Sequence, residues 1–180
     1  LIPSEIGIGR FNTPQNFNAF VLHSLERGAQ GFGVYCYGEV RKELPDSLSA
    51  RPTLTNMFKA IKENEDIIYS GLPGYGSIRC IPEKSSLFQA SHLHIDQEET
   101  LALIYRPPFS APQDTVNQTL PNLTIQLESP EEGKYQLKIH QVGKGTTERT
   151  IQMQKMKRQA ITIETLTAED ILFIRIKKQK

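Results

Sequence analysis

The segment Gln30–Val40, with the sequence QGFGVYCYGEV, is the feature that most restricts how this chain can fold. Apolar side chains occupy both odd and even positions between Phe32 and Tyr37, a pattern typical of a parallel strand that is covered on both faces. Glycines interrupt the run, and glycine within a strand often marks the close approach of another backbone or of a ligand. Because ligands bind at the carboxyl ends of parallel strands, Glu39 is a candidate functional carboxylate.

The overall composition indicates a globular chain with neither a nucleic-acid nor a membrane partner. The 180 residues are 38% hydrophobic and 23% charged, with a formal net charge of +1. That balance argues against the large basic field that nucleic-acid binding requires. No apolar run approaches the ~18 residues of a membrane span. We also expect no cofactor, since the glycine-containing stretch 74–79 lacks the strand and helix that flank a dinucleotide fingerprint.

The first part of the chain, residues 1–68, reads as a βαβα segment. Its predicted elements are strand 1–12, helix 13–27, strand 30–40 and helix 53–65. Thr13-Pro14 is a strong helix start, and Gly28 fits the left-handed position that ends a helix. A helix that crosses between two strands implies a parallel pair. Two such strands leave sheet edges and apolar faces uncovered, so we expect this part to need neighbours.

The second part, residues 69–180, reads as an antiparallel β-sandwich that follows a turn-rich stretch. Eight short apolar segments are predicted strands: 77–81, 87–95, 100–105, 123–127, 134–142, 149–154, 160–166 and 171–176. Alternation such as Leu101/Leu103/Tyr105 indicates strands with one wet face. Two glycine-containing turns, 131–133 and 143–145, are predicted hairpin connections. Strands at this spacing suggest a sandwich of roughly 100 residues that can close its own core.

Three stretches carry a resemblance to a known architecture: SEIGIGRFNTPQNF (4–17), ERGAQGFGVYCYGEV (26–40) and TLTAEDILFIRIKK (165–178). Together they resemble the end of a (β/α)8-barrel glycoside hydrolase of the retaining superfamily, followed by its trailing sandwich domain. The implied fold class is α/β plus all-β, the last βαβα quarter of a TIM-type barrel followed by an antiparallel β-sandwich. The rest of the barrel would then be supplied by residues before Leu1 or by another chain.

The resemblance also implies a carbohydrate substrate and a set of site residues. Glycosidases use two carboxylates that flank the scissile bond. Glu39 would be the catalytic carboxylate of this chain, and the substrate-binding residues would be Arg10, Asn12, Tyr35 and Tyr37. The seventh strand of the implied barrel offers no carboxylate at its end, so the chain alone would be catalytically incomplete. An enzyme of this kind would be secreted or periplasmic.

Each of these assignments has a structural alternative. Glu39 could instead form a salt bridge with Arg41 or Arg10, and the rings of Tyr35 and Tyr37 could belong to the core. The whole chain could also be a non-catalytic β-sandwich module that binds carbohydrate or protein, with residues 1–68 as a helical appendage. A barrel protein with a different chemistry is a third hypothesis, because that fold hosts many reactions.

Two pairs of reactive side chains complete the candidates. His92 and His94 alternate along one strand and could share a metal ion, but with only two ligands in reach a solvated strand face is the favoured interpretation. Cys36 and Cys80 leave the redox environment undecided, and Cys36 is expected to be a buried thiol in the core strand.

Overall fold

The computed structural model describes residues 6–7, 21–25, 27, 34–35, 55–74, 76, 78–83, 88–96, 98–105, 122–164 and 170–180. Within this part the chain forms three helical segments and eleven strands. None of the described helices is long and apolar enough to cross a membrane.

The helices lie before the sandwich strands. Helix α1 covers residues 21–25, α2 covers 55–63 and α3 is Glu65–Ser70. The prediction of one helix over 53–65 therefore needs a correction, because the helical path breaks at Asn64 and continues to Ser70. The Asn64 side chain donates a hydrogen bond to the carbonyl oxygen of Ala60 over 2.8 Å. A polar side chain that binds its own helix in this way competes with the backbone ladder and favours a break.

The first two strands form a short parallel pair. Strand β1 (Ile6–Gly7) lies beside β2 (Val34–Tyr35), with Ile6 opposite Val34 and Gly7 opposite Tyr35. The predicted parallel pairing is thus confirmed at these four residues. The remaining positions of the predicted strands 1–12 and 30–40 lie outside the described residues.

All other strands pair in the antiparallel sense and form two sheets. The large sheet has the order β3-β5-β6-β11-β8-β9 and the small sheet the order β10-β7-β4. Their bounds are β3 Leu72–Pro73, β4 Arg79–Pro82, β5 Gln89–Ile95, β6 Glu99–Tyr105, β7 Leu123–Glu128, β8 Gly133–Gln141, β9 Gly145–Met153, β10 Arg158–Ile163 and β11 Leu172–Lys178. Each of the eight predicted sandwich segments overlaps one of these strands, whereas the short edge strand β3 was not predicted.

One predicted hairpin is confirmed and the other is wrong. Strands β8 and β9 pair along their whole length, and Gly143 in the turn between them has a φ of 79°, a left-handed conformation that favours glycine. Strands β7 and β8 do not pair, because β7 belongs to the small sheet and β8 to the large one. The turn at 131–133 therefore carries the chain from one sheet to the other.

The large sheet has a hydrophobic cluster on each face. Along β6, Leu101 and Leu103 pack with the helices, while Ala102 and Ile104 pack with the small sheet. The helices contribute Val21, Leu22, Leu25, Met57, Ala60, Ile67 and Ile68 to the first cluster. The expectation of a wet face on β6 is therefore wrong, since every residue of Glu99–Tyr105 is buried.

These observations correct the fold class and the resemblance. The described chain is a two-sheet antiparallel sandwich with helices packed on the large sheet, and it lacks the βαβα pattern of a barrel quarter in its described part. The helices need no missing barrel, because Leu101, Leu103 and Phe173 of the same chain cover their apolar faces. The division between residues 68 and 69 stays a prediction, although α3 extends across it.

Candidate binding cleft

The predicted site residues lie almost entirely outside the described part of the chain. Arg10, Asn12, Tyr37 and Glu39 are not described. Tyr35 is described through its backbone alone, in β2 opposite Gly7. The roles suggested for these residues therefore stay predictions, and the described part of the chain provides other candidates.

The histidine pair on β5 is tied to neighbouring backbone. His92 is buried, and its Nε2 lies 3.2 Å from the amide nitrogen and 3.0 Å from the carbonyl oxygen of Cys80 on the small sheet. His94 Nδ1 lies 3.3 Å from the carbonyl oxygen of Asp96. The interpretation of a solvated strand face is wrong for His92. Among the described residues, no three side chains that could hold a metal ion lie together.

The thiol of Cys80 is a core group. It is free and fully buried between the two sheets, and burial raises its pKa far above the usual thiol range. A thiol held in its neutral form is a poor nucleophile, because the thiolate is the reactive species. Cys36 lies outside the described residues.

The helix-facing side of the large sheet carries a network of ion pairs. Arg175 on β11 donates to Asp66 of α3, with Nη1 and Oδ1 3.0 Å apart, and its Nε donates to Glu99 on β6. Lys177 lies 3.1 Å from the second oxygen of Glu99. The hydrogen bonds from Arg175 lower the pKa of Asp66. Lys138 lies within 4.0 Å of two carboxylates, those of Glu63 and Glu148.

His140 extends this network towards α2. Its Nδ1 lies 2.9 Å from Thr146 Oγ1 on β9 and 3.3 Å from Glu63 Oε2 on α2. Burial lowers the His140 pKa, and the nearby charges of Lys138 and Lys59 act in the same direction against the opposing effect of Glu63. A cavity of about 220 Å³ lies along this face, but the charges in its lining (Glu99, Lys138, Arg175 and Lys177) all have partners. We therefore interpret this face as structural.

A second cavity lies between the β8–β9 hairpin of the large sheet and the end of β10 in the small sheet. The large sheet has six strands and the small sheet has three, with β10 at its edge. Among the described residues, none beyond the end of β10 covers the inner face of the β8–β9 hairpin at its turn end. The resulting cleft has a volume of about 330 Å³, at the lower end of the ~300–1,000 Å³ typical of ligand pockets.

The cleft walls combine hydrogen-bonding groups with a small apolar floor. Ile139 and Ile163 form the floor, one from each sheet. The other residues of the lining are Gln141, Lys144, Gly145, Thr146, Thr147 and Arg149 from the hairpin, with Thr162 and Glu164 at the end of β10. None of these described lining residues is aromatic, so the cleft can hold a ligand through hydrogen bonds and aliphatic contacts but not through ring stacking.

Two donors in the cleft have no acceptor among the described residues. Gln141 Nε2 is buried and makes no hydrogen bond to any of them. Arg149 is exposed to the cleft and forms no ion pair within the part of the chain that the structure describes. By contrast, Lys144 Nζ donates to the buried carboxylate of Asp170 over 2.8 Å. An unsatisfied buried donor costs free energy, and a ligand that supplies an acceptor recovers it.

Sequence reasoning missed this cleft, although one signal for it was available. Side chains that face the small sheet follow the alternation of Tyr135 and Leu137 on β8 and of Ile151 and Met153 on β9. Extending the same alternation along β9 puts Arg149 at a position where an apolar residue is expected, opposite Leu137. A charged residue at an inward position of a strand is a sign of an open sandwich end or of a site.

No family model matches the chain, and no curated protein or solved structure matches it significantly.

Proposed function

We propose that this chain is a non-catalytic β-sandwich module that binds carbohydrate in the cleft between the β8–β9 hairpin and the end of β10. The observation that carries the proposal is the cleft lining, in which hydroxyl, amide and guanidinium groups surround two isoleucine side chains. Its volume of about 330 Å³ suits a ligand of one or two sugar rings.

Sugar chemistry matches such a lining. A sugar ring has hydroxyl groups around its edge, each able to donate and accept a hydrogen bond, and aliphatic C–H groups on its faces. Thr147 and Thr162 can donate to or accept from hydroxyls, and Gln141 offers an amide. Ile139 and Ile163 can contact the C–H face of a ring.

The cleft supports binding rather than hydrolysis. Hydrolysis of a glycosidic bond requires two carboxyl groups on opposite sides of the bond, about 5 to 9.5 Å apart. Glu164 is the one carboxylate among the described lining residues. The nearby carboxylate of Asp170 is buried and held by Lys144. Glycosidase activity was inferred from a barrel resemblance that the fold contradicts, so it is not part of this proposal.

The helices have a separate role in this proposal. Helices α1, α2 and α3 pack on the opposite face of the large sheet, and none of their described residues lines the cleft. They stabilise the sheet from the side opposite the cleft.

The proposal is tested by a glycan array followed by calorimetric titration of the sugars that bind. The variant Thr147→Trp fills the cleft, because Thr147 lies on the inner face of β9 opposite Ile139. Thr150→Trp is the matched control, since Thr150 is an exposed residue of the same strand outside the cleft. Both changes suit a strand, where aromatic residues are well tolerated.

We expect at least one class of sugar to bind the unmodified protein without turnover. Thr147→Trp should abolish that binding and Thr150→Trp should leave it unchanged. The absence of binding across the array would refute the proposal. Equal loss of binding in both variants would do so as well, and release of shorter sugars during incubation would assign the protein to the enzymes instead.

A further inference from the structure

We propose that the ligand of the cleft is an acidic sugar, a uronate, whose carboxylate is held by Arg149 and Gln141. This inference rests on the proposed function and specifies its ligand class. It starts from the two donors that lack an acceptor, which lie on the same wall of one cleft.

The first of these donors is the side-chain amide of Gln141. Its Nε2 group is buried and has no partner in the part of the chain that the structure describes, which is unusual because the large majority of buried polar side-chain atoms have a partner. Gln141 lies opposite Gly145 on β9 and opposite Leu172 on β11, so neither directly opposite residue has a side-chain acceptor for its amide. An acceptor brought by a ligand is the missing partner, and a carboxylate oxygen is a stronger acceptor than a hydroxyl.

The second donor is the guanidinium group of Arg149. Other arginines of the sandwich have carboxylate partners: Arg175 pairs with Asp66 and Glu99, and Arg158 pairs with Glu128. Arg149 has no such partner among the described residues, although it lies at an inward position of β9 opposite Leu137. The planar guanidinium group matches the planar carboxylate with two parallel hydrogen bonds.

The other charges of the cleft set the orientation of the ligand. The charge of Lys144 is compensated by the buried Asp170. Glu164 lies on the β10 wall and would repel a carboxylate placed beside it. A uronate therefore binds with its carboxylate towards Gln141 and Arg149 and with ring hydroxyls towards Glu164, which accepts hydrogen bonds from them.

The test compares sugars that differ at a single carbon. Glucuronate and galacturonate carry a carboxylate where glucose and galactose carry a hydroxymethyl group, so each pair isolates the acidic group. Affinities are measured by NMR titration at low salt, which also detects weak binding. We expect at least one uronate to bind about tenfold more tightly than its neutral counterpart, as expected for one added hydrogen bond between charged groups.

Three variants test which residues produce the preference for the uronate over the neutral sugar. Arg149→Gln should remove the preference for the uronate, and Arg149→Lys should keep part of it, since the charge stays and the paired geometry is lost. Glu164→Gln should strengthen uronate binding by removing a like charge. Arg158→Gln is the control, because Arg158 is exposed, pairs with Glu128 and lies outside the cleft.

The outcomes separate this inference from the proposed function. Binding of neutral and acidic sugars with equal affinity, or a preference that survives in Arg149→Gln, would overturn the uronate inference and leave the carbohydrate module intact. The absence of any sugar binding would overturn both. Glucose 6-sulfate is also tested, because its acidic group is not planar. If it binds as tightly as glucuronate, the cleft does not select a planar carboxylate.

Discussion

The two faces of the β8–β9 hairpin use polar residues in opposite ways. On the helix-facing side, Lys138 and His140 lie beside the carboxylate of Glu63, and Lys138 also lies near Glu148. On the inner side, Gln141 Nε2 and Arg149 have no acceptor in the described part of the chain. The polar groups on the helix-facing side hold the helices on the sheet, whereas those on the inner side are available to a ligand.

Each arrangement has an energetic consequence. Charged groups that are paired and partly buried favour one packing of the helices on the sheet, because breaking such a pair leaves an isolated charge. An unpaired buried donor costs about 1–3 kcal/mol of folding free energy in the absence of ligand. Substitutions on the first face should therefore change stability, and substitutions on the second should change binding.

The largest effect is expected for Arg175→Met. This change leaves the buried carboxylate of Glu99 with Lys177 as its remaining partner and removes both hydrogen bonds to Asp66. We expect a loss of about 2–4 kcal/mol in the free energy of unfolding. Urea denaturation followed by circular dichroism measures it. Arg149→Gln is the comparison variant, and a loss as large as that of Arg175→Met would contradict the distinction between the two faces.

A smaller effect of the opposite sign is expected for Gln141→Leu. Replacing an amide that has an unsatisfied buried donor by an apolar side chain of similar length should stabilise the fold by about 1 kcal/mol and weaken sugar binding. Gln152→Leu, at an exposed position of β9, serves as control and should change neither property. If Gln141→Leu destabilises the protein instead, the amide has a structural role.

The pH dependence of stability tests the helix-facing side. Burial lowers the pKa of His140 in the folded protein below its usual value near 6.5, so the unfolded chain takes up a proton first as the pH falls. The stabilising contribution is therefore complete above pH 6.5 and is lost as the pH falls through the lowered folded pKa. We expect the urea midpoint to decrease between pH 7.5 and 5.5, and the decrease should be smaller in His140→Gln. An identical pH profile in the variant would contradict this assignment.

Several features of the fold could be predicted from the sequence because they depend on local pattern. The alternation of Tyr135, Leu137 and Ile139 identified β8, and the glycines at 143 and 145 identified the turn of its hairpin. The turn at 131–133 has similar residues, but turn chemistry does not determine whether the chain returns to the same sheet or crosses to another. That choice depends on which face each strand covers, which is a property of the whole sandwich.

The layers and the cleft were harder to predict. Residues 101–105 are apolar at every position, which is the pattern of a strand covered on both sides. The alternation of Leu101, Leu103 and Tyr105 considered alone predicted one wet face. A strand covered on both sides predicts a helical layer on one face of this sheet, and that layer is formed by the helices that were attributed to a missing barrel. The cleft lies between strands of two different sheets, and no local pattern encodes how the two sheets are placed against each other.

The most direct test of the cleft as a sugar site is a titration of the ¹⁵N-labelled protein with glucuronate and galacturonate, followed by amide chemical shifts. We expect the shifts to change in two stretches, residues 139–149 and residues 162–164, while those of the helix-facing pair Glu99 and Arg175 stay unchanged. Changes confined to the segment Gln30–Val40, or the absence of changes in the cleft while the array shows sugar binding, would contradict it.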